Sequence, residues 1–207
     1  MLPTLLIYLL TQAPAQAPPW KGENLQFYPK DIARAEITQR MREFSFALSV
    51  RCQYCHAGGD GVSFDGVVFS SDEKPAKKQA RAMLRMVEQL NTVALAQMPS
   101  HAEPKVVVEC STCHRGSALP KSLQTTLFEI AQSKGTPAAV AKYRELRRDA
   151  VLGQYNFGEW EVNELARRLT EAKNPKAALA VLEMNLEYYP ASQALPQMIA
   201  AAKKLIE

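Results

Sequence analysis

The chain has 207 residues, of which 22% are charged and 47% hydrophobic, and it carries a formal net charge of +4. This composition excludes bulk disorder and is sufficient for one domain, or for a compact domain with a smaller appendage. Basic residues are interspersed with acidic ones and form no aromatic-studded ridge, so nucleic-acid binding is excluded as a leading function.

The first element is an uncharged apolar run over residues 2–10, which is too short to span a bilayer as a helix. Small residues follow at the spacing that signal peptidase requires, and the later of two cleavage sites is disfavoured by the adjacent Pro18. We therefore expect residues 1–15 to be a signal peptide that directs the chain to the periplasm or outside the cell. No Lys or Arg precedes the run, so a retained N-terminal anchor is the alternative.

A first amphipathic helix is predicted from Asp31, as its N-cap, to Leu48. Its apolar stripe has helical spacing and comprises Ile37, Met41, Phe44 and Leu48. The motif CQYCH follows at residues 52–56, and the glycine-rich stretch after it predicts a loop with a turn at Asp65 and Gly66. A methionine-bearing helix thus comes directly before a cysteine pair and a histidine.

A second amphipathic helix is predicted over residues 75–90, after a capping box of Ser70 and Glu73. Its inner stripe comprises Ala76, Ala80, Met83, Val87 and Leu90. The densest basic run, from Lys74 to Arg85, lies on this helix, and we interpret it either as a solvated face or as a docking patch for an acidic partner. The second motif, CSTCH, follows at residues 110–114, so the two halves repeat one plan.

Helical periodicity dominates after Pro120, with helix starts predicted at Thr136 and Asn174 and a break at Pro190 and Ser192. A further set of positions has the spacing of a tetratricopeptide repeat, namely Val162, Leu165, Ala166, Leu169, Ala178, Leu182 and Pro190, with Asn185 where a small residue is usual. We predict a mainly α protein with one domain over residues 16–120 and a small helical tail over residues 121–207.

The two CxxCH motifs are typical of c-type haem attachment. Two thiols three positions apart can form thioethers to the vinyl groups on one porphyrin edge, and the next residue can bind the iron as proximal ligand. The two sets are Cys52, Cys55 and His56, then Cys110, Cys113 and His114. The sequence therefore predicts two covalently bound haems, in a domain of helix, connection and CxxCH repeats with long loops.

Three other sites use cysteine pairs. Two CxxC pairs can supply a four-thiolate zinc site, one pair can act as a thioredoxin-like redox couple, and two disulfides can form in an exported protein. Neither the zinc site nor the redox couple explains a histidine directly after both pairs in a chain with only three histidines, and two disulfides stay open as an alternative. Haem is therefore the leading interpretation, with zinc next.

The sixth iron ligand decides between electron transfer and catalysis, because an open iron can bind peroxide or a small gas. The one histidine outside the motifs is His101, so both irons cannot be bis-histidine ligated within this chain. Met41 and Met83 each lie on the inner stripe of the helix before a motif, although a methionine there is more often core filler. Met86, Met98 and His101 are alternatives to Met83.

Three blocks, ITQRMREFSFALSVRCQYCH, KKQARAMLRMVEQLN and CSTCHRGSALP, resemble the cytochrome c subunit of photosynthetic reaction centres. The resemblance covers residues 24–120. That subunit usually carries four haems, whereas this chain has two motifs and a helical tail that the photosynthetic subunit lacks. The resemblance implies that Met41 and Met83 are the sixth ligands, and it leaves the physiological partner open.

We expect a dihaem cytochrome that passes single electrons between redox protein partners and is not an enzyme. Its tail is expected to be a docking surface, on the haem domain or on a partner, including one in a membrane-associated complex. The first alternative is a dihaem peroxidase-like enzyme with one open iron, although no distal acid/base pair is evident beyond His101. The second is a scaffold whose tail recruits partners while the haems stabilise the fold.

Overall fold

A computed structural model describes residues 20–98, 106–149 and 153–207. The chain is mainly α, as predicted. Its elements in chain order are α1 (Arg34–Leu48), β1 (Ala57–Gly58), β2 (Val67–Val68), α2 (Pro75–Gln89), α3 (Cys110–His114), α4 (Leu123–Lys134), α5 (Thr136–Arg148), α6 (Glu159–Glu171), α7 (Pro175–Tyr188) and α8 (Ala194–Lys204).

Two predictions fall on residues outside those ranges: the signal peptide over residues 1–15, and His101. Within the ranges, none of the helices combines the length and the apolar character needed to cross a bilayer.

Helix α1 begins later than predicted. Its N-cap is Ala33, which makes no side-chain capping bond, so the prediction that Asp31 caps the helix was wrong. The backbone turns first, because the amide of Ile32 donates to the carbonyl of Pro29 at 3.2 Å and the Ile32 side chain is buried. The helix ends at Ser49, which takes the left-handed conformation with φ of 54°.

Strands β1 and β2 form a short antiparallel hairpin that pairs Ala57 with Val68 and Gly58 with Val67. A side chain at Gly58 is excluded, since its Cβ would lie 2.2 Å from the carbonyl oxygen of Gly66, and its φ is +74°. Gly66 itself has a φ of +71°. The predicted turn at residues 65–66 is confirmed, and it returns the chain beside the first CxxCH motif.

Helix α2 begins at Pro75 with Lys74 as a bare N-cap, so the predicted capping box of Ser70 and Glu73 was wrong. The hydroxyl of Ser71 instead accepts the amide of Glu73 at 3.2 Å. Pro75 needs no capping partner, because its nitrogen carries no hydrogen and its φ already suits a helix. A π turn over Leu90–Ala94 follows directly after the last residue of α2.

Helices α4 to α8 share one hydrophobic core. Its buried members are Leu123, Leu127, Ala131, Ala139, Tyr143, Val162, Leu165, Ala166, Leu169, Ala177, Ala178, Val181, Leu182, Met184, Leu195, Ile199 and Ala202. Burying one large aliphatic side chain stabilises the fold by about 1.5–3 kcal/mol, so this core is sufficient to hold the five helices together.

The predicted helix starts of the tail are confirmed. Helix α5 begins at Thr136, and the side chain of Asn174 caps α7 by accepting the amide of Ala177 at 3.1 Å. Ser192 likewise accepts the amide of Leu195 at the start of α8, at 3.2 Å, after the break at Pro190.

Asn185 is fully buried between α6 and α7. Its amide donates to the carbonyl of Glu159 at 2.9 Å and to Oδ1 of Asn163 at 3.0 Å, which explains a polar residue where the repeat pattern expects a small one. The tetratricopeptide assignment of this helix pair stays a prediction, as does the domain boundary at Pro120.

Candidate haem-binding sites

The first CxxCH motif lies on a single 3₁₀ turn, Cys52–Tyr54, and the residues directly after it. The amide of Cys55 donates to the carbonyl of Cys52 at 3.2 Å, and the amide of His56 donates to the same carbonyl at 3.0 Å. The side chain of Lys74 also donates to the carbonyl of Gln53. The turn therefore holds Cys55 and His56 in a fixed relation to each other.

Both residues line a cavity of about 220 Å³ enclosed by α1, α2 and the segment before α1. Met41 of α1 lines the same cavity, so the structure brings together the methionine, the second cysteine and the histidine predicted for the first haem. The rest of the wall is largely apolar and includes Trp20, Leu25, Phe27, Ile37, Phe44 and Leu84. Cys52 is half-buried and lies outside the described lining.

The imidazole of His56 is only partly engaged by the protein. Its Nδ1 is buried and has no hydrogen-bond partner in the described parts of the chain. The ring of Phe69 packs edge-on against it, with 5.0 Å between centroids. Burial lowers the pKa of His56, and the cation of Lys77 lowers it further. A neutral ring with an uncommitted nitrogen is suited to ligate a metal.

Beside this cavity lies an ion cluster that the sequence did not predict. Asp72 lies 2.8 Å from Arg81 and 3.2 Å from Lys77, and the amide of Asn24 donates to it at 2.9 Å. The hydrogen bonds from Arg81 and Asn24 hold the pKa of Asp72 far below its usual range. Lys77 and Arg81 are buried and line the cavity.

The basic run on α2 is only partly solvated. Lys77 and Arg81 face inward, and Lys74 bonds back to the first motif, so a fully solvated face was wrong. Lys78 and Arg85 are the two cations of the run that stay exposed, which leaves a weaker docking patch than the sequence suggested.

The second CxxCH motif is itself a helix, α3, capped by Glu109, whose side chain and that of Thr112 form a reciprocal capping box. Nδ1 of His114 lies 2.8 Å from the carbonyl oxygen of Ser117. Since a carbonyl only accepts, Nδ1 carries the proton and Nε2 keeps its lone pair. A ring oriented in this way by a backbone carbonyl is the usual arrangement of a ligating histidine.

The second motif borders a larger cavity of about 870 Å³ between α1, α2 and α3, and Cys110 lines it. The amide of Gly116 donates to the carbonyl of Ala47 at 2.8 Å and fixes the end of the motif to the end of α1. His114 is half-buried and Cys113 is exposed, and neither is among the residues lining this cavity.

The methionines are placed unequally. Met41 lines the first cavity, whereas Met83 is 47% exposed and lines neither cavity. Leu84, the next residue on α2, and Val87, one helical turn further on, do line the second cavity. Met86 and Met98 are also exposed and lie outside both linings. Ligation by Met41 and by Met83 stays a prediction.

The two cavities share part of their walls. Tyr28, Phe44 and Leu84 line both of them, so the two sites are separated by single side chains of the segment before α1, of α1 and of α2.

The structure gives no support to a zinc site, a disulfide or a redox couple among the cysteines in the described ranges. All four are free thiols, and no group of three or more His, Cys, Asp or Glu is assembled within the described ranges, so no four-thiolate site forms there. Burial raises the pKa of Cys55 and of Cys110. At the second motif this opposes a thioredoxin-like couple, because the first cysteine of such a pair reacts as the thiolate.

Comparison with known proteins agrees with the motifs. The family model described as photosynthetic reaction centre cytochrome c subunit matches residues 23–153. Cytochrome c-554 of Chloroflexus aurantiacus is 33% identical over 109 residues, covering 48% of this chain and 23% of that protein. The photosynthetic reaction center cytochrome c subunit of Rubrivivax gelatinosus is 31% identical over 120 residues, covering 54% of this chain and 31% of that protein.

The corresponding subunit of Roseobacter denitrificans is 29% identical over 89 residues, covering 43% of this chain and 22% of that protein. The chain thus spans less than a third of the length of these curated relatives. No solved structure matches the chain significantly. Because the family model spans more than half of its residues, the chain belongs to the photosynthetic reaction centre cytochrome c subunit family, whose members are haem proteins of electron transport.

Proposed function

We propose that the chain is a dihaem c-type cytochrome that transfers single electrons between redox protein partners. The first haem site comprises Cys52 and Cys55 as thioether residues, His56 as proximal ligand and Met41 as distal ligand. The second haem site comprises Cys110 and Cys113, His114 and Met83 in the same roles. Each bound haem supplies an iron that takes up and releases one electron between its ferric and ferrous states.

One observation carries this proposal: Met41, Cys55 and His56 line a single, largely apolar cavity. The thioether and the imidazole come from different elements, α1 and the turn after it, yet both face the same space. The buried, unpartnered Nδ1 of His56 shows that the protein leaves this ring incompletely bonded, at a cost of about 1–3 kcal/mol for an unsatisfied buried polar group.

The second haem site is supported by its histidine. The bond from His114 to the carbonyl of Ser117 fixes the tautomer that leaves Nε2 free to ligate. The proposed role of Met83 as distal ligand is supported by its position on α2 near Leu84 and Val87 and by the family resemblance. His/Met ligation raises the reduction potential, so both haems are expected to have fairly positive potentials.

The setting of the protein is proposed from its sequence and its relatives. Residues 1–15 direct the chain to the periplasm or outside the cell, where c-type haems and their redox partners meet. The helical tail docks on a redox partner, including one held in a membrane complex. Two of the relatives are named as photosynthetic reaction center cytochrome c subunits, and this chain spans less than a third of their length.

Optical spectra of the purified holoprotein test the ligand set. We expect two low-spin haems with the thioether-to-iron absorption band in the ferric state. Met41→Ala is expected to abolish the band of one haem and to make that haem high-spin, whereas Met198→Ala, which removes a methionine of the tail helix α8, leaves the spectrum unchanged. A wild-type protein with one high-spin haem and peroxide turnover would contradict the proposal in favour of the peroxidase-like alternative.

A further inference from the structure

The walls of the two cavities differ in charge. The described wall of the first cavity carries three cations and one carboxylate, namely Arg34, Lys77, Arg81 and Glu23. That of the second carries two cations and three carboxylates, namely Arg40, Arg115, Glu36, Glu43 and Glu109. Since the two sites have the same proposed ligand types, a difference in their potentials has to come from their surroundings.

Burial decides which of these charges count. Lys77 and Arg81 are each only 9% exposed. The five charged side chains described in the second wall are all exposed, so water and salt screen them strongly. The buried pair therefore dominates the electrostatic difference between the two sites.

The pair is held in place and is only half neutralised. Asp72 is a single carboxylate in contact with both cations, which leaves one positive charge in excess. Nζ of Lys77 also donates to the carbonyls of Phe69 and Ser71 at 2.8 and 2.7 Å, and Arg81 donates to the carbonyl of Asn24 at 3.1 Å. These backbone bonds keep the two charges at the wall of the first cavity.

We propose that the buried Lys77–Arg81 pair gives the first haem site the higher reduction potential, so that electrons entering at the second haem site run to the first. The inference rests on the proposed function. A fixed positive charge favours the state with the extra electron, because reduction makes the haem less positive. The smaller cavity, with its largely apolar wall, acts in the same direction.

The transfer is a balanced one-electron step. With both haems bound, the second iron would go from ferrous to ferric as the first goes from ferric to ferrous, and no bond or proton would change place. A one-electron donor protein re-reduces the second haem, and a one-electron acceptor protein re-oxidises the first. The shared wall of Tyr28, Phe44 and Leu84 puts only single side chains between the two sites.

A spectroelectrochemical titration of the dihaem holoprotein tests this direction. We expect two resolved midpoints in the wild type. Arg81→Gln is expected to lower the higher midpoint and leave the lower one in place, and Arg81→Lys, which keeps the charge, to restore most of it. Asp72→Asn is expected to raise the higher midpoint further, because it removes the one carboxylate that neutralises the pair. Arg85→Gln, an exposed cation on the same helix, is the matched control and should leave both midpoints unchanged.

The inference is overturned if Arg81→Gln and Asp72→Asn shift the lower midpoint, or shift neither. If Arg81→Gln fails to assemble, Asp72→Asn decides the matter alone by the same criterion. The proposed function fails in a different way, through a single haem per chain or a high-spin spectrum in the wild type. Two low-spin haems whose higher midpoint ignores both variants would contradict only the direction of transfer.

Discussion

The haem region, residues 20–120, and the tail, residues 121–207, build their interiors from different material. In the described part of the haem region four hydrophobic side chains are buried, those of Ile32, Ile37, Ala47 and Ala57. The tail buries seventeen in one cluster. The two regions are of similar length, so size does not account for the difference.

What the haem region has instead of a side-chain core is a pair of cavities, lined by the same apolar stripes that would otherwise pack together. Met41 and Phe44 of α1 and Leu84 of α2 face these cavities. We expect a chain arranged in this way to complete its interior with the cofactor, so that haem binding and folding are coupled, and we expect the tail to fold on side-chain packing alone.

The largest effect is expected from removing the cofactor. Replacing all four cysteines with alanine should prevent covalent haem attachment and unfold the haem region, while the tail stays folded around its own core. Hydrogen exchange followed by mass spectrometry should then show lost protection in α1 and α2 and retained protection in α6 and α7. Equal protection of both regions, with or without haem, would contradict the coupling.

The next largest effect is expected on the stability of the tail, without a change at the haems. Leu165 is fully buried at the centre of the tail core, so Leu165→Ala is expected to cost about 2–5 kcal/mol in free energy of unfolding. Thermal denaturation followed by far-ultraviolet circular dichroism measures the loss, and the haem spectrum should not change. Leu205→Ala, at an exposed leucine, is the control and should be nearly neutral.

A smaller effect is expected at the buried polar contact between α6 and α7. Asn185→Ala leaves the carbonyl of Glu159 and the side chain of Asn163 without their donor, which should cost roughly 1–3 kcal/mol of tail stability. Chemical denaturation of the tail measures it, with Gln132→Ala at an exposed position as the control. A neutral result would show that water replaces the lost bonds.

The smallest effect is a pH dependence at Glu161. Burial raises the pKa of this carboxyl, so the folded tail binds its proton more tightly than the unfolded chain does. The resulting stability is fully present below about pH 4, the range of an unperturbed glutamate, and is lost as the pH rises through the folded-state pKa. Glu161→Gln should therefore raise the melting temperature of the tail at alkaline pH and leave it unchanged in acid. Glu207→Gln, at the exposed chain end, should change it at neither.

The sequence predicted most of the architecture because its signals were local. Proline and asparagine marked the starts of α5 and α7. A glycine marked the hairpin turn at residue 66, where the positive φ would strain the backbone of a residue with a side chain. The two predicted N-caps, Asp31 and Ser70, were wrong because the backbone around them sets the helix starts. The turn between Pro29 and Ile32 delays the start of α1, and the fixed φ of Pro75 sets the start of α2.

The candidate sites divide in the same way. The spacing of Met41 and His56 predicted two groups that the structure brings to one cavity. The ion cluster of Asp72, Lys77 and Arg81 was not predicted, because one helical run of lysines and arginines does not show which of them turn inward. A lone aspartate shortly before that helix, with Asn24 lying 48 residues earlier in the sequence, was the only signal, and pairing them needs the fold.

We propose that each of the two cavities completes its interior with one covalent haem. Intact-mass spectrometry of the denatured holoprotein tests it most directly, because thioether-linked haem remains on the chain when the fold is lost. We expect a chain mass increased by two haems, and an increase of one haem when Cys52 and Cys55 are both replaced with alanine, or when Cys110 and Cys113 are. A chain that carries one haem, or none, would contradict it.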